Sequence, residues 1–295
     1  MCADSPGHRF SSLRAAGLFF LRPVLPVQRN SMKGGLRKCW EKESPRPSFS
    51  HTSTGIIAVQ PITSGKPSPA SKVAASAQAA AIVARPSAQM RITELGRTAI
   101  PVVKTLAGLD ESLLIDEPFR PFDVDIVLHD GQMIQVDKDT TVEVLATPGH
   151  TRDHLSYYIP ERKILIGGEA AGCLEPGGSI DVEFLADYEA YLASLTRLLA
   201  IPAEVFTQGH NYLFVGQDSI KAYLEGSIKA AEDFAARVHE LLQAEGGSIE
   251  RVVHRIKVEQ HDPKPGPKQP DEACLLNLTA QVTHLATKNA ANRKK

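Results

Sequence analysis

The chain has 295 residues, 42% of them hydrophobic and 23% charged, which is enough to bury one large core or two smaller ones. Thirty-three basic residues against thirty-four acidic ones leave a formal net charge of −1, so no global field attracts a polyanion, and nucleic acid is not an expected partner. No stretch reaches the roughly 18 apolar residues of a membrane span; the longest candidate, Ala15 to Leu21, is cut by Arg22 and Pro23. The four cysteines, Cys2, Cys39, Cys173 and Cys274, are far apart and never form Cys-x-x-Cys, a pattern that reads as reduced thiols in a cytoplasmic compartment.

The first fifty residues hold nine Lys or Arg against three acids, with many Ser and Pro and little periodicity. That is the composition of a disordered or unpatterned basic arm, with a transit peptide as the alternative. A Ser, Pro, Gly and Ala-rich loop follows at Thr63 to Ala70, so residues 1–70 form a first segment, and order is expected from Lys72. The Ala-rich run Val73 to Ala84 ends at Arg85-Pro86 and predicts a short helix, a strand being the second choice. Another helix is expected over Ala88 to Leu106, bent or ended by Pro101. Strand-like runs follow at hairpin spacing: Val124 to Leu128, Met133 to Val136, Val142 to Ala146, Leu155 to Ile159 and Ile164 to Gly167. Phe184 to Leu199 carries apolar residues at helical spacing, with Tyr188 and Tyr191 on the packed face. Residues 71–216 thus read as an α/β core and 217–295 as a helical region. The helical region comprises Ile220 to Gly246 as one or two helices starting at Gln217-Asp218-Ser219, then Ile249 to Val258, a proline-broken connector, Glu272 to Thr287 and a frayed basic tail.

The densest chemical signal is Thr147-Pro148-Gly149-His150-Thr151, set between two strand-like runs. The Pro-Gly pair fixes a tight turn and aims one imidazole from the strand end, which suits a metal ligand or a base; a solvent-facing hairpin histidine is the plainer alternative. Two further segments stand downstream. Lys163 to Glu169 is a strand closing on Gly167-Gly168-Glu169, and Glu204 to His210 is a short strand closing on Gly209-His210.

Together these segments resemble the metallo-β-lactamase superfamily of metal-dependent hydrolases, over about Lys72 to Tyr223. The resemblance implies an αββα sandwich, here with an incomplete N-terminal half and a C-terminal helical region. It implies His150 and His210 as metal-binding histidines, with Glu169 at the position of the family's bridging acid. The family's His-x-His-x-Asp-His motif is missing upstream of Lys72, where the nearest candidate is His51. The three retained residues make a two-His, one-carboxylate set of the kind that holds Zn, with Fe or Mn as alternatives. Asp153 and His154 stand beside the expected ligand as candidate catalytic groups, with a supporting role for His154 as the alternative. Cys173 reads as a small buried residue, Asp181 as a solvated or capping carboxylate, and His239, His254, His261 and His284 as ordinary. The expected function is hydrolysis of a small ester, thioester, lactam or phosphoester by metal-activated water. The alternative is an inactive relative serving as a binding or scaffold module.

Overall fold

The computed structural model describes residues 72–104, 121–175, 177–209, 212–264 and 268–292, together with Phe119 and the short strands β1 (Leu18–Phe20) and β2 (Ile57–Val59). The rest of the basic arm, His51, the loop Thr63 to Ala70 and His210 lie outside the described residues. Contacts divide the chain into two compact units, one formed by Met1–Val144 with Ile159–Arg162 and the other by Leu145–Tyr158 with Lys163–Lys295.

In the first unit β1, β2 and β3 (Lys72–Ser76) are antiparallel neighbours, and β4 (Ile126–Leu128) lies parallel to β3. The start of the Ala-rich run is therefore strand, not helix. Ala74 pairs with Ile57 on one side and Ile126 on the other, and two ladders outweigh the small helix preference of alanine. The helix α1 (Ala77–Val83) begins only at Ser76, whose Oγ accepts the Ala79 N–H at 3.1 Å. Ala75, Ala79 and Val83 form a small core with Val73, Phe122 and Val124 packed around it.

Pro86 opens the next helix, α2 (Pro86–Lys104), rather than merely closing the previous one. Its missing N–H falls where a helix has no acceptor for one. Pro101 does not end α2, which runs on to Lys104, because it sits in the last turn. Strands β5 (Met133–Asp137) and β6 (Thr140–Ala146) then pair antiparallel, as their spacing predicts.

The second unit contains β7 (Leu155–Ile159), β8 (Ile164–Gly168), the two-residue strands β9 (Cys173–Leu174) and β10 (Ile180–Asp181), and the helix α3 (Tyr188–Leu199). After these come β11 (Val205–Gln208), β12 (Leu213–Val215), α4 (Gln217–Ala244), α5 (Ile249–Ile256) and α6 (Asp271–Asn292). Strands β12, β11, β8 and β7 lie side by side in that order, with β11 parallel to β8. Parallel neighbours finish at the same end of a sheet, so the segments after β8 and β11 emerge together.

Leu165 and Phe206 from the sheet, Tyr191, Leu195 and Leu198 from α3, and Leu224, Val238, Ile256, Val282 and Leu285 from the C-terminal helices share one core. Each such fully buried side chain contributes about 1.5–3 kcal/mol.

Three helix boundaries differ from the apolar periodicity. Phe184 is buried like a helical residue, but the N–H groups of Leu185, Ala186 and Asp187 turn to the Gly149 carbonyl, and α3 starts after Asp187, whose Oδ1 caps the Ala190 N–H at 2.9 Å. The π-helical turn Lys257–His261 ends the α5 segment, with Glu259 reaching Arg237 of α4 at 2.7 Å. Finally, α6 runs through the expected frayed tail to Asn292; Lys288 is held there by Glu189 at 3.0 Å. Among the described residues no helix is long and apolar enough to cross a membrane.

Candidate metal centre

The loop Thr147 to His154 leaves β6 and returns into β7. Its base is closed by the Thr147 N–H donating to the His154 carbonyl at 3.0 Å. Gly149 has φ +135°, and a Cβ there would stand 2.4 Å from Tyr191 Cα, so only glycine lets the turn lie against the first turn of α3. Ser194 of α3 adds a hydroxyl bond to the Pro148 carbonyl at 2.7 Å. The docked turn buries His150 to 3% exposure.

Both nitrogens of His150 meet acidic segments. Nδ1 donates to the Glu183 carbonyl at 2.5 Å, which fixes the ring and commits Nε2 to the other side. There Nε2 lies 2.9 Å from Glu169 Oε2, within ion-pair distance. Glu183 Oε2 is 3.9 Å from Nδ1. Burial, the strongest single influence, favours the neutral ring. The Glu169 carboxylate and then Glu183 oppose it and together hold His150 up at about 9.

Glu169 is aimed by two glycines. Gly168 turns the end of β8 with φ 58° and ψ −140°, a conformation essentially reserved for glycine, and a Cβ on it would press within 2.9 Å of His154 Nε2. Gly209, following β11, lies so close that its Cβ would meet Glu169 Cγ at 2.7 Å. The residue before His210 is thus packed against the stem of Glu169.

His154 is buried, its ring 6.0 Å from that of His150, and its Nδ1 is 2.9 Å from Thr147 Oγ1. Burial first, and the neighbouring His150 second, hold it down at about 4, so it is neutral at ordinary pH. Asp153 is 4% exposed, and its Oδ2 has no hydrogen-bond partner among the described residues.

The structure therefore brings His150 and Glu169 into contact and sets Asp153 and His154 beside them in the same loop. Sequence reading missed Glu183, which carries no motif and acts mainly through its backbone carbonyl. It also missed Ser156, whose signal was a hydroxyl on a strand with every residue buried. Elsewhere, Asp187, Glu189 and His284 cluster closely enough to hold an ion, as do His261, Asp262 and Asp271. Lysines already serve both groups: Lys288 lies 3.0 Å from Glu189, and Lys257 lies 3.0 Å from Asp271. His284 Nε2 accepts the Tyr188 N–H at 3.1 Å, a helix-end contact. Asp181 is bound by Lys264, and Cys173 and Cys274 are buried thiols.

With this geometry in hand, the comparison with known proteins is specific. The family model of the metallo-beta-lactamase superfamily matches residues 73–210, and over that stretch the chain belongs to this superfamily. A hydroxyacylglutathione hydrolase of Rhodopseudomonas palustris is 32% identical over 124 residues, covering 39% of this chain and 46% of that protein. A beta-lactamase-like protein 2 homolog of Caenorhabditis elegans is 32% identical over 116 residues, covering 39% of this chain and 34% of that protein. The chain thus spans less than half the length of these curated relatives. A metallo-beta-lactamase family protein of Thermus thermophilus aligns over 71% of this chain and 63% of its own, at 18% identity and a TM-score of 0.45. The fold is the superfamily's mixed α/β fold with a helical C-terminal region.

Proposed function

We propose that the protein is a metal-dependent hydrolase in which His150, Glu169 and His210 hold one divalent ion, Zn before Fe or Mn. The observation that carries this reading is the pairing of His150 Nε2 with Glu169 Oε2 at 2.9 Å while Nδ1 is anchored on Glu183. Two ligand-type atoms, one on the buried His150 and one on the half-buried Glu169, stand at a separation that suits two donors sharing one cation. His210 follows Gly209, which already touches the Glu169 stem.

When bound, such an ion lowers the pKa of water towards about 7 and polarises the substrate oxygen. The chain's own groups do the rest. Glu183 orients His150, and Gly168 and Gly209 fix the reach of Glu169. Asp153 presents a buried carboxylate oxygen three residues beyond the ligand. Among ester, thioester, lactam and phosphoester, the name hydroxyacylglutathione hydrolase carried by relatives favours the thioester. A small-molecule substrate and a cytoplasmic setting accord with the net charge of −1 and the buried thiols Cys173 and Cys274.

The test is metal analysis of the full chain after dialysis, with a panel of thioesters, esters, lactams and phosphodiesters assayed before and after chelation. Retained Zn, Fe or Mn, lost in His150→Ala, together with chelator-sensitive thioester hydrolysis, is expected. If no metal is retained and chelation changes nothing, the proposal fails. Retained metal with every substrate left intact would instead favour a binding module.

A further inference from the structure

His154 lies at the end of a chain of side-chain hydrogen bonds whose protons can be counted. Ser156 Oγ donates to the Gly167 carbonyl at 3.1 Å. A hydroxyl has one proton to give and a carbonyl has none, so the Ser156 proton is committed. Thr147 Oγ1 lies 2.7 Å from Ser156 Oγ, and with the serine proton used elsewhere, Thr147 must be the donor in that pair. Thr147 then has no proton left for His154, whose Nδ1 is 2.9 Å from the same oxygen. His154 Nδ1 must therefore carry the hydrogen. All four groups are buried, so no outside donor breaks the sequence.

In a neutral ring with the proton on Nδ1, Nε2 is bare. That bare nitrogen faces Gly168, near enough that a Cβ there would come within 2.9 Å of it. Gly168 is the residue that turns the chain into Glu169. The same His154 closes the base of the loop carrying His150, through its own carbonyl and the Thr147 N–H. One side chain thus spans the two segments whose tips meet as the His150–Glu169 pair.

We propose that His154 is a positioning residue, locked as the Nδ1–H tautomer by the Thr147–Ser156–Gly167 chain, so that its unprotonated Nε2 braces the Gly168 turn and sets the separation of His150 from Glu169. This differs from a proton-transfer role, because the ring is buried and its one proton is engaged. The consequence for metal affinity rests on the hydrolase reading above; the tautomer itself does not.

Nitrogen-15 NMR of the full-length, histidine-labelled protein at neutral pH, with and without zinc, reads the tautomer directly. The expected His154 signal has a protonated Nδ1 and an unprotonated Nε2, and the opposite assignment in the wild type overturns the proposal with no variant needed. Thr147→Val keeps the shape and removes the hydroxyl. It should change the His154 nitrogen pattern and weaken zinc binding about 10–100-fold, the range typical for losing a partner that orients a ligand, while Thr147→Ser restores both. If Thr147→Val does not fold, Ser156→Ala, which removes the terminal donor, is read in the same way. An altered tautomer with zinc affinity within twofold of wild type would refute the positioning role. If the wild type shows the stated tautomer but binds no zinc, the metal reading fails while the assignment of the hydrogen-bond chain stands.

Discussion

The loop region from Thr147 to Glu169 and the helices α4 to α6 handle polar groups in opposite ways. Around the loop, Thr147, His150, Asp153, His154 and Ser156 are all buried. Across α4 to α6 the buried polar side chains among the described residues are Ser227, His261 and Gln281, and the charges pair at the surface, as in Lys229 with Asp233 at 2.6 Å. Buried polar groups cost stability unless each finds a partner, whereas apolar helix faces gain it by area alone. The helices therefore carry the fold, and the loop uses part of that stability to hold ligand-type groups in a fixed arrangement.

The comparison breaks first at Gly149. Gly149→Ala combines a positive φ with a Cβ driven into the α3 backbone, and should destabilise by about 3 kcal/mol or more, measured by urea unfolding. A loss below about 1 kcal/mol would mean that the turn is not docked on α3. Ile256→Ala, in the helical core, should cost about 2–5 kcal/mol in the same assay and leave metal content unchanged, which separates folding from the site.

Next comes pH, in the metal-free protein. His150 is held up at about 9, so its paired form supports the fold fully below its ordinary 6.5, and that support is lost as pH rises through 9. His154 is held down at about 4. Its stability contribution is present above 6.5 and is lost as pH falls through 4, where the unfolded chain binds a proton that the folded chain excludes. Stability should therefore peak near 6.5, and His154→Gln should flatten the acid limb; an unchanged acid limb would contradict the burial of this ring. The smallest effect is expected at the exposed pair, where Lys229→Met should change stability by less than about 0.5 kcal/mol.

How much of this was readable beforehand depended on whether local or distant contacts decide the structure. Strand Leu155–Ile159 falls where its apolar run places it, and α4 begins at the Gln217-Asp218 signal. The Ala-rich run failed as a helix at Lys72–Ser76 because its ladder partners lie elsewhere in the chain, at Ile57–Val59 and Ile126–Leu128. The meeting of His150 with Glu169 was foreshadowed by glycine turns at strand ends, since the turn chemistry is written in adjacent residues. Glu183 could not, because a backbone carbonyl has no residue-type signature and reaches His150 only through the path of the chain before α3.

The doubly closed base of the histidine loop has a further consequence. Thr147 and His154 are joined through both main chain and side chain, so the six residues they enclose have already lost most of their conformational freedom. Under the proposed metal reading, an ion binding at His150 would meet a preorganised group, and little of its binding free energy would go into ordering this loop.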